Sequence, residues 1–87
     1  MTNLQELHTT VRHCAIAEAE AAHEAGKTVD DEPPFWAASE GVCAALYELG
    51  FDTMPVSASD TFRRNYMDTM LRLCRPEEHA AEEALPF

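Results

Sequence analysis

Three cysteines and four histidines are the side chains of this sequence that could bind zinc or serve in nucleophilic catalysis. They are Cys14, Cys43, Cys74, His8, His13, His23 and His79. The cysteines lie about thirty residues apart and form no CxxC pair. On a helix of about 3.6 residues per turn, His8 and His13 point to roughly opposite faces, and Pro76 separates Cys74 from His79. The spacing therefore predicts no metal site and no cofactor.

The cysteine pattern also bears on the redox compartment and on catalysis. An odd number of widely spaced cysteines is typical of reduced thiols, and each lies on or beside the apolar face of a predicted helix. A nucleophilic enzyme needs a cysteine or serine beside a base. The sequence leaves a contact such as Cys43 with His23 open, but no spacing favours it. Because a small helical chain also has little room for a substrate cavity, we predict a protein that is not an enzyme.

The excess of acidic residues is the main indication of what kind of partner the protein binds. The chain holds 16 Asp and Glu against 6 Lys and Arg, a formal net charge of -10. This charge disfavours direct binding to nucleic acid or to anionic membranes, and it favours a basic protein partner. Solubility alone is one explanation of the surplus. The other is that acidic side chains along helices imitate a phosphate array and occupy the basic groove of a nucleic-acid-binding protein.

The acids are clustered along the chain rather than spread evenly. One cluster falls on the first predicted helix, one falls in the loop after it, and four glutamates lie near the C-terminus, whereas four of the six cations fall on the third helix. Trp36 follows the loop and is expected to be half exposed, where an aromatic can anchor an interface. The predicted partner-binding residues are Glu18, Glu20, Glu24, Asp30, Asp31, Glu32 and Trp36.

Three main helices are expected to position these residues, in an all-α compact bundle. Apolar side chains recur at helical spacing over about 3–25, 34–49 and 59–75. A short helix is also predicted in the C-terminal segment after Pro76. Gly26 is expected to end the first helix, and Ser57 or Ser59 to cap the third. The whole chain, 1–87, is interpreted as one domain, with 76–87 either packed or a loose acidic tail.

The second helix is predicted from its own start and stop signals. Pro33 and Pro34 suit the first turn of a helix, and Gly50 with Phe51 suits a Schellman cap at its end. Phe35 is expected to enter the core. Because this helix is apolar around most of its circumference, it is predicted to be the central and most buried element.

Two functional hypotheses follow. In size, acidity and helicity the chain resembles phage-encoded inhibitors of host defence, including anti-CRISPR proteins, which implies a small inhibitor or regulator that binds a basic protein surface. The alternative is a structural or adaptor protein, an obligate helical homodimer built on the alanine face of the first helix and the aromatics of the second. Because no secretory signal or membrane span is recognised, the protein is expected in the cytoplasm.

Overall fold

The computed structural model describes residues 3–76, which form three α-helices and one short 3₁₀ turn. The helices are α1 (Asn3–Glu24), α2 (Glu40–Glu48) and α3 (Val56–Cys74), and the 3₁₀ turn is Trp36–Ala38. The predicted all-α fold is confirmed. The helix predicted after Pro76 and the acidic tail lie outside the described residues. No helix in the described part of the chain is long and apolar enough to cross a membrane.

α1 and α3 pack against each other and run in the same direction. Near their N-terminal ends, Nδ1 of His8 lies 2.8 Å from Oγ1 of Thr61. Near their C-terminal ends, Sγ of Cys74 lies 4.0 Å from the carbonyl oxygen of Lys27, just beyond α1. The contacts at both ends place the two C-terminal ends of these helices side by side.

α2 also packs on α1 and runs antiparallel to it. The Asn3 side-chain amide donates to the carbonyl of Leu49, which lies just after α2, at 3.1 Å. Within residues 3–76, no Cα atom of α2 lies within 8 Å of a Cα atom of α3, and the 3₁₀ turn lies close to both helices. α1 is therefore the central helix. The prediction that the second helix is central was wrong, and its Cys43 and Tyr47 are exposed.

The core combines small residues on α1 with large residues on α3. Its buried hydrophobic members are Leu7, Val11, Ala15, Ala19, Val42, Ala45, Leu46, Ala58, Phe62, Tyr66 and Met70. The alanines of α1 let α3 approach closely, and the aromatic and methionine side chains of α3 fill the space between the helices. On the alanine face predicted to form a dimer, Ala15 is buried within the single chain, Ala22 is half-buried and Ala25 is exposed.

The predicted C-terminal signals of the helices are confirmed. Gly50 adopts φ +80°, and the Phe51 N–H donates to the Leu46 carbonyl at 2.9 Å, as a Schellman motif requires. α1 ends in the same way at Gly26, which has φ +89°. None of the three cysteines forms a disulfide.

The predicted start of the second helix was wrong by six residues, because two local preferences act against it. A residue that precedes proline is driven to extended conformations, which disfavours a helix at Pro33, and Phe35 is itself extended at φ -67° and ψ 139°. The buried Ser39 then accepts a hydrogen bond from the Val42 N–H at 3.4 Å and caps α2. Phe35 is consequently 67% exposed instead of entering the core.

The predicted cap of the third helix was wrong as well. α3 begins at Val56, and the carbonyl of Pro55 accepts hydrogen bonds from the N–H groups of Ala58 and Ser59. Proline at the N-cap sets an extended backbone (ψ 141°) directly before the helix. Ser57 lies in the first turn, and its hydroxyl lies 3.1 Å from Nε2 of His8 on α1.

The close crossing of α1 and α2 gives a test of the packing. A Cβ added at Gly41 would lie 2.7 Å from Sγ of Cys14. We expect Gly41→Ala to destabilise the wild-type protein through this clash. In a Cys14→Ala background the same change should stabilise it by up to about 1 kcal/mol, because alanine is the better helix former. Denaturant unfolding of the four proteins measures the coupling. An equal effect of Gly41→Ala in both backgrounds would contradict the crossing.

Candidate functional site

The acidic loop, residues 27–35, has a fixed local conformation. The Asp31 N–H donates to the Thr28 carbonyl at 3.1 Å, and the Thr28 N–H donates in return to Oδ2 of Asp31 at 2.8 Å. The Asp30 N–H donates to Oγ1 of Thr28 at 3.3 Å. Aspartate and threonine favour such turns because their short side chains bond to nearby backbone groups. These hydrogen bonds orient the Asp31 side chain and the backbone of Asp30.

Contacts with α3 hold this loop against the helices. Val29 packs on the core, and Oδ1 of Asp30 lies 3.9 Å from Nη2 of Arg75, just after α3. Both side chains of that ion pair are well exposed, so it contributes at most about 1 kcal/mol. Farther along, Trp36 is half-buried against the core, as predicted. The chain thus leaves the end of α1 and runs back along α3.

Tyr66 is a core residue near the loop, and the charges of the loop affect its pKa. Burial raises the pKa of Tyr66 above its ordinary value of 10.0, and the nearby carboxylates of Asp31 and Glu18 and the Cys74 thiol raise it further. The phenol is 2% exposed, and Glu18 is half-buried. Two predicted partner-binding acids, one from α1 and one from the loop, therefore lie close enough to the same core side chain to affect its ionisation.

We define the acidic end of the molecule as the region where α1 and α3 terminate, with five of the predicted acids. These acids are Glu18, Glu20, Glu24, Asp30 and Asp31. They do not form a single face. Glu18 and Glu20 are about 200° apart around α1, so Glu20 and Glu24 lie on the solvent side of the helix and Glu18 lies at the edge of the core.

Glu32 and Trp36 belong to a second feature, the aromatic pocket, between the loop and α3. It encloses about 320 Å³, near the lower limit of small-molecule sites. Its walls are Glu32, Pro33, Pro34, Phe35, Trp36, Ser59, Phe62 and Arg63. The rings of Phe35 and Trp36 lie 4.9 Å apart at 46°. The predicted partner-binding residues thus divide between the acidic end and this pocket.

Sequence reasoning missed the pocket because it placed Phe35 in the core of a helix. The available signal was the pair of prolines at 33 and 34, which favours an extended backbone at residues 32 and 33 and so disfavours a helix that begins at Pro34. Sequence reasoning also missed the hydrogen bonds of His8 to Ser57 and Thr61, which join residues about fifty positions apart.

Comparisons with known proteins do not assign a function. No protein-family model, no curated protein and no solved structure matches the chain. Among residues 3–76, no group of three or more His, Cys, Asp or Glu side chains is arranged to hold a metal ion. Any functional proposal therefore rests on the charges, the loop and the pocket.

The position of the loop can be tested through Tyr66. In a Tyr47→Phe background, which leaves Tyr66 as the only tyrosine, we expect Asp31→Asn to lower the Tyr66 pKa toward 10.0 because it removes a nearby negative charge. Asp30→Asn is the matched control and should leave this pKa unchanged. Absorbance titration of tyrosinate measures both. Equal shifts from the two variants would contradict the loop geometry.

The same raised pKa predicts how stability depends on pH. The folded state holds the Tyr66 proton more tightly than the unfolded chain does, so the contribution is present below pH 10.0 and is lost as pH rises through the folded pKa. Denaturant unfolding should therefore show a loss of stability at alkaline pH that is smaller in Tyr66→Phe than in Tyr47→Phe.

Proposed function

We propose that this protein is a non-enzymatic helical module that binds another protein. Its acidic end docks on a basic surface of that partner, and the protein acts as a small inhibitor or regulator. The partner is a nucleic-acid-binding protein or complex, whose groove the acids occupy as a nucleic-acid mimic in the manner of phage anti-defence proteins. The three unpaired thiols favour a reducing compartment, and we place the protein in the cytoplasm.

The observation that carries this proposal is that five acids from α1 and from the loop lie together at one end of the molecule. α1 and α3 run parallel, so two helix C-termini, each equivalent to about half a negative charge, lie beside the acids of that end. Lys27, Arg72 and Arg75 are the cations of this region. Five acids and these three cations give the region a net side-chain charge of -2. Four further glutamates follow Pro76 in the sequence.

The local hydrogen bonds of the loop support the same proposal. A binding surface that is ordered before association does not have to lose conformational entropy when the partner arrives. The Thr28–Asp31 turn and the Asp30–Arg75 contact hold the carboxylates in place, and both aspartates remain exposed. Charged groups at such a surface act mainly on the association rate and on the salt dependence of binding.

Two triple variants test the docking surface with equal changes of charge. Glu20→Gln/Glu24→Gln/Glu32→Gln neutralises two acids of the acidic end and the one acid of the pocket rim. Glu6→Gln/Glu40→Gln/Glu48→Gln neutralises three exposed glutamates elsewhere. All six side chains are exposed. The tagged proteins are incubated with lysate of the source cells at low and high salt, and captured proteins are identified by mass spectrometry.

We expect the wild type and the second variant to capture the same basic, nucleic-acid-binding protein at low salt. The first variant should bind it about tenfold or more weakly, because three favourable charge contacts are lost. Added duplex DNA should compete for the partner. Equal loss in both variants, or capture that neither salt nor DNA reduces, would refute docking through the acidic end.

A homodimer is the second candidate, and the exposed outer face of α2 favours it. Tyr47 is 87% exposed, and its neighbours Cys43 and Ala44 are exposed as well. In this hypothesis the α2 face acts together with the alanine face of α1, on which Ala22 is half-buried and Ala25 is exposed. The net charge of -10 on each copy opposes such a dimer.

Sedimentation equilibrium distinguishes the two candidates. For the inhibitor we expect a mass of 9.7 kDa at all salt concentrations. An obligate dimer would show twice that mass, would persist at high salt, and would be split by Tyr47→Asp but not by Glu48→Gln. The wild-type mass thus decides between the candidates.

A further inference from the structure

We infer that the aromatic pocket receives an arginine side chain of the partner protein. This inference rests on the proposed function, and it adds the chemistry of one anchoring contact. The acidic end supplies long-range attraction, whereas the pocket lies at the point where the loop and α3 form an apolar cleft next to a carboxylate. Such a cleft allows a short-range contact that selects one type of side chain.

The walls of the pocket fit the long stem of a basic side chain. Pro33, Pro34 and Phe62 provide apolar surface from the loop and from α3. Lysine and arginine bury their methylene stems on such surfaces while their charged ends reach a polar group. The volume of about 320 Å³ is sufficient for one large side chain and not for a helix.

The aromatic rings favour a cation at this position. Phe35 is 67% exposed and lies against Trp36, the only tryptophan of the chain. A cation above the face of such rings is attracted by about 0.5 to 1 kcal/mol at an exposed site. The planar guanidinium group of arginine also stacks on the rings, which the ammonium group of lysine does not do.

The charges on the pocket walls favour a cation over an anion. Glu32 makes no hydrogen bond or ion pair with any other residue of 3–76, so its carboxylate is available to a ligand. Arg63 is equally unpaired in that range, and it repels an incoming cation. It shares its outer surface with Asp60 and with a second cation, Arg64, so these three α3 residues carry a net charge of +1. Glu32 follows Asp30 and Asp31 directly, so these three loop residues carry a net charge of -3. The loop side is thus the more strongly charged wall.

The experiment uses the full chain and a defined probe, the blocked tripeptide acetyl-Gly-Arg-Gly-amide. The matched control probe contains citrulline, which keeps the shape of arginine but carries no charge. Trp36 reports directly on the pocket through its fluorescence and through the NMR signal of its indole N–H. We expect both signals to titrate with the arginine peptide at millimolar concentration and about two- to fivefold more weakly with the citrulline peptide.

Three variants locate the contact. Glu32→Gln should weaken arginine binding about two- to fivefold, and Glu40→Gln, an equal charge change on α2, should leave it unchanged. Arg63→Gln should strengthen binding because it removes the opposing cation. Equal binding of the two peptides, weaker binding after Arg63→Gln, or no change at Trp36 would each overturn the arginine assignment.

This result is separable from the test of the proposed function. If the acidic-end variant loses its partner while the arginine peptide does not bind, the pocket assignment fails and the docking proposal stands. If the peptide binds as expected but no salt-sensitive basic partner is captured, the docking proposal fails, and the pocket remains an arginine site without the partner named here.

Discussion

The packing of α1 against α3 is the contact on which the rest of the structure depends. Ala15 and Ala19 have no exposed surface, and the opposing helix contributes Phe62, Tyr66 and Met70 to the same buried cluster. Small side chains on one helix and large ones on the other allow a close approach without a cavity. A chain of this length buries only about 60 to 65% of the surface of its unfolded state, so its core is small. The loss of the contact between α1 and α3 would therefore not be compensated by another helix pair.

Parallel packing of these two helices also determines where the charges lie. It brings the end of α1, the start of the acidic loop and the end of α3 to the same place, although they are separated by about fifty residues in the sequence. The negative ends of two helix dipoles lie at this end and are stabilised by nearby cations, and Arg72 and Arg75 supply such cations on α3. The acids of α1 and of the loop oppose this stabilisation. Solubility alone does not require this arrangement, since acids at any exposed position would provide it.

Much of the fold was predictable because local signals and helix periodicity agreed. Gly26 and Gly50 ended helices as expected, and the apolar spacing of α1 and α3 identified both helices. The errors arose where two signals competed. Pro34 is compatible with a helix start or with an extended segment, and the choice depended on Ser39, a cap that fits the sequence equally well. The placement of α1 at the centre depended on contacts between distant residues, which periodicity does not reveal. The pocket could not be predicted for the same reason, since it exists only because residues 33–36 do not form an α-helix.

Tyr66 connects the stability of the core to the charge of the loop. Its ring is buried with Phe62 and Met70, yet its ionisation responds to Asp31 and Glu18. A basic partner that neutralises those carboxylates would reduce their effect on the phenol and lower its pKa toward the value set by burial alone. The proposed binding surface is therefore not independent of the fold. A substitution that loosened Tyr66 would disturb the buried cluster on which Val29 packs, and through Val29 it would alter the position of the loop.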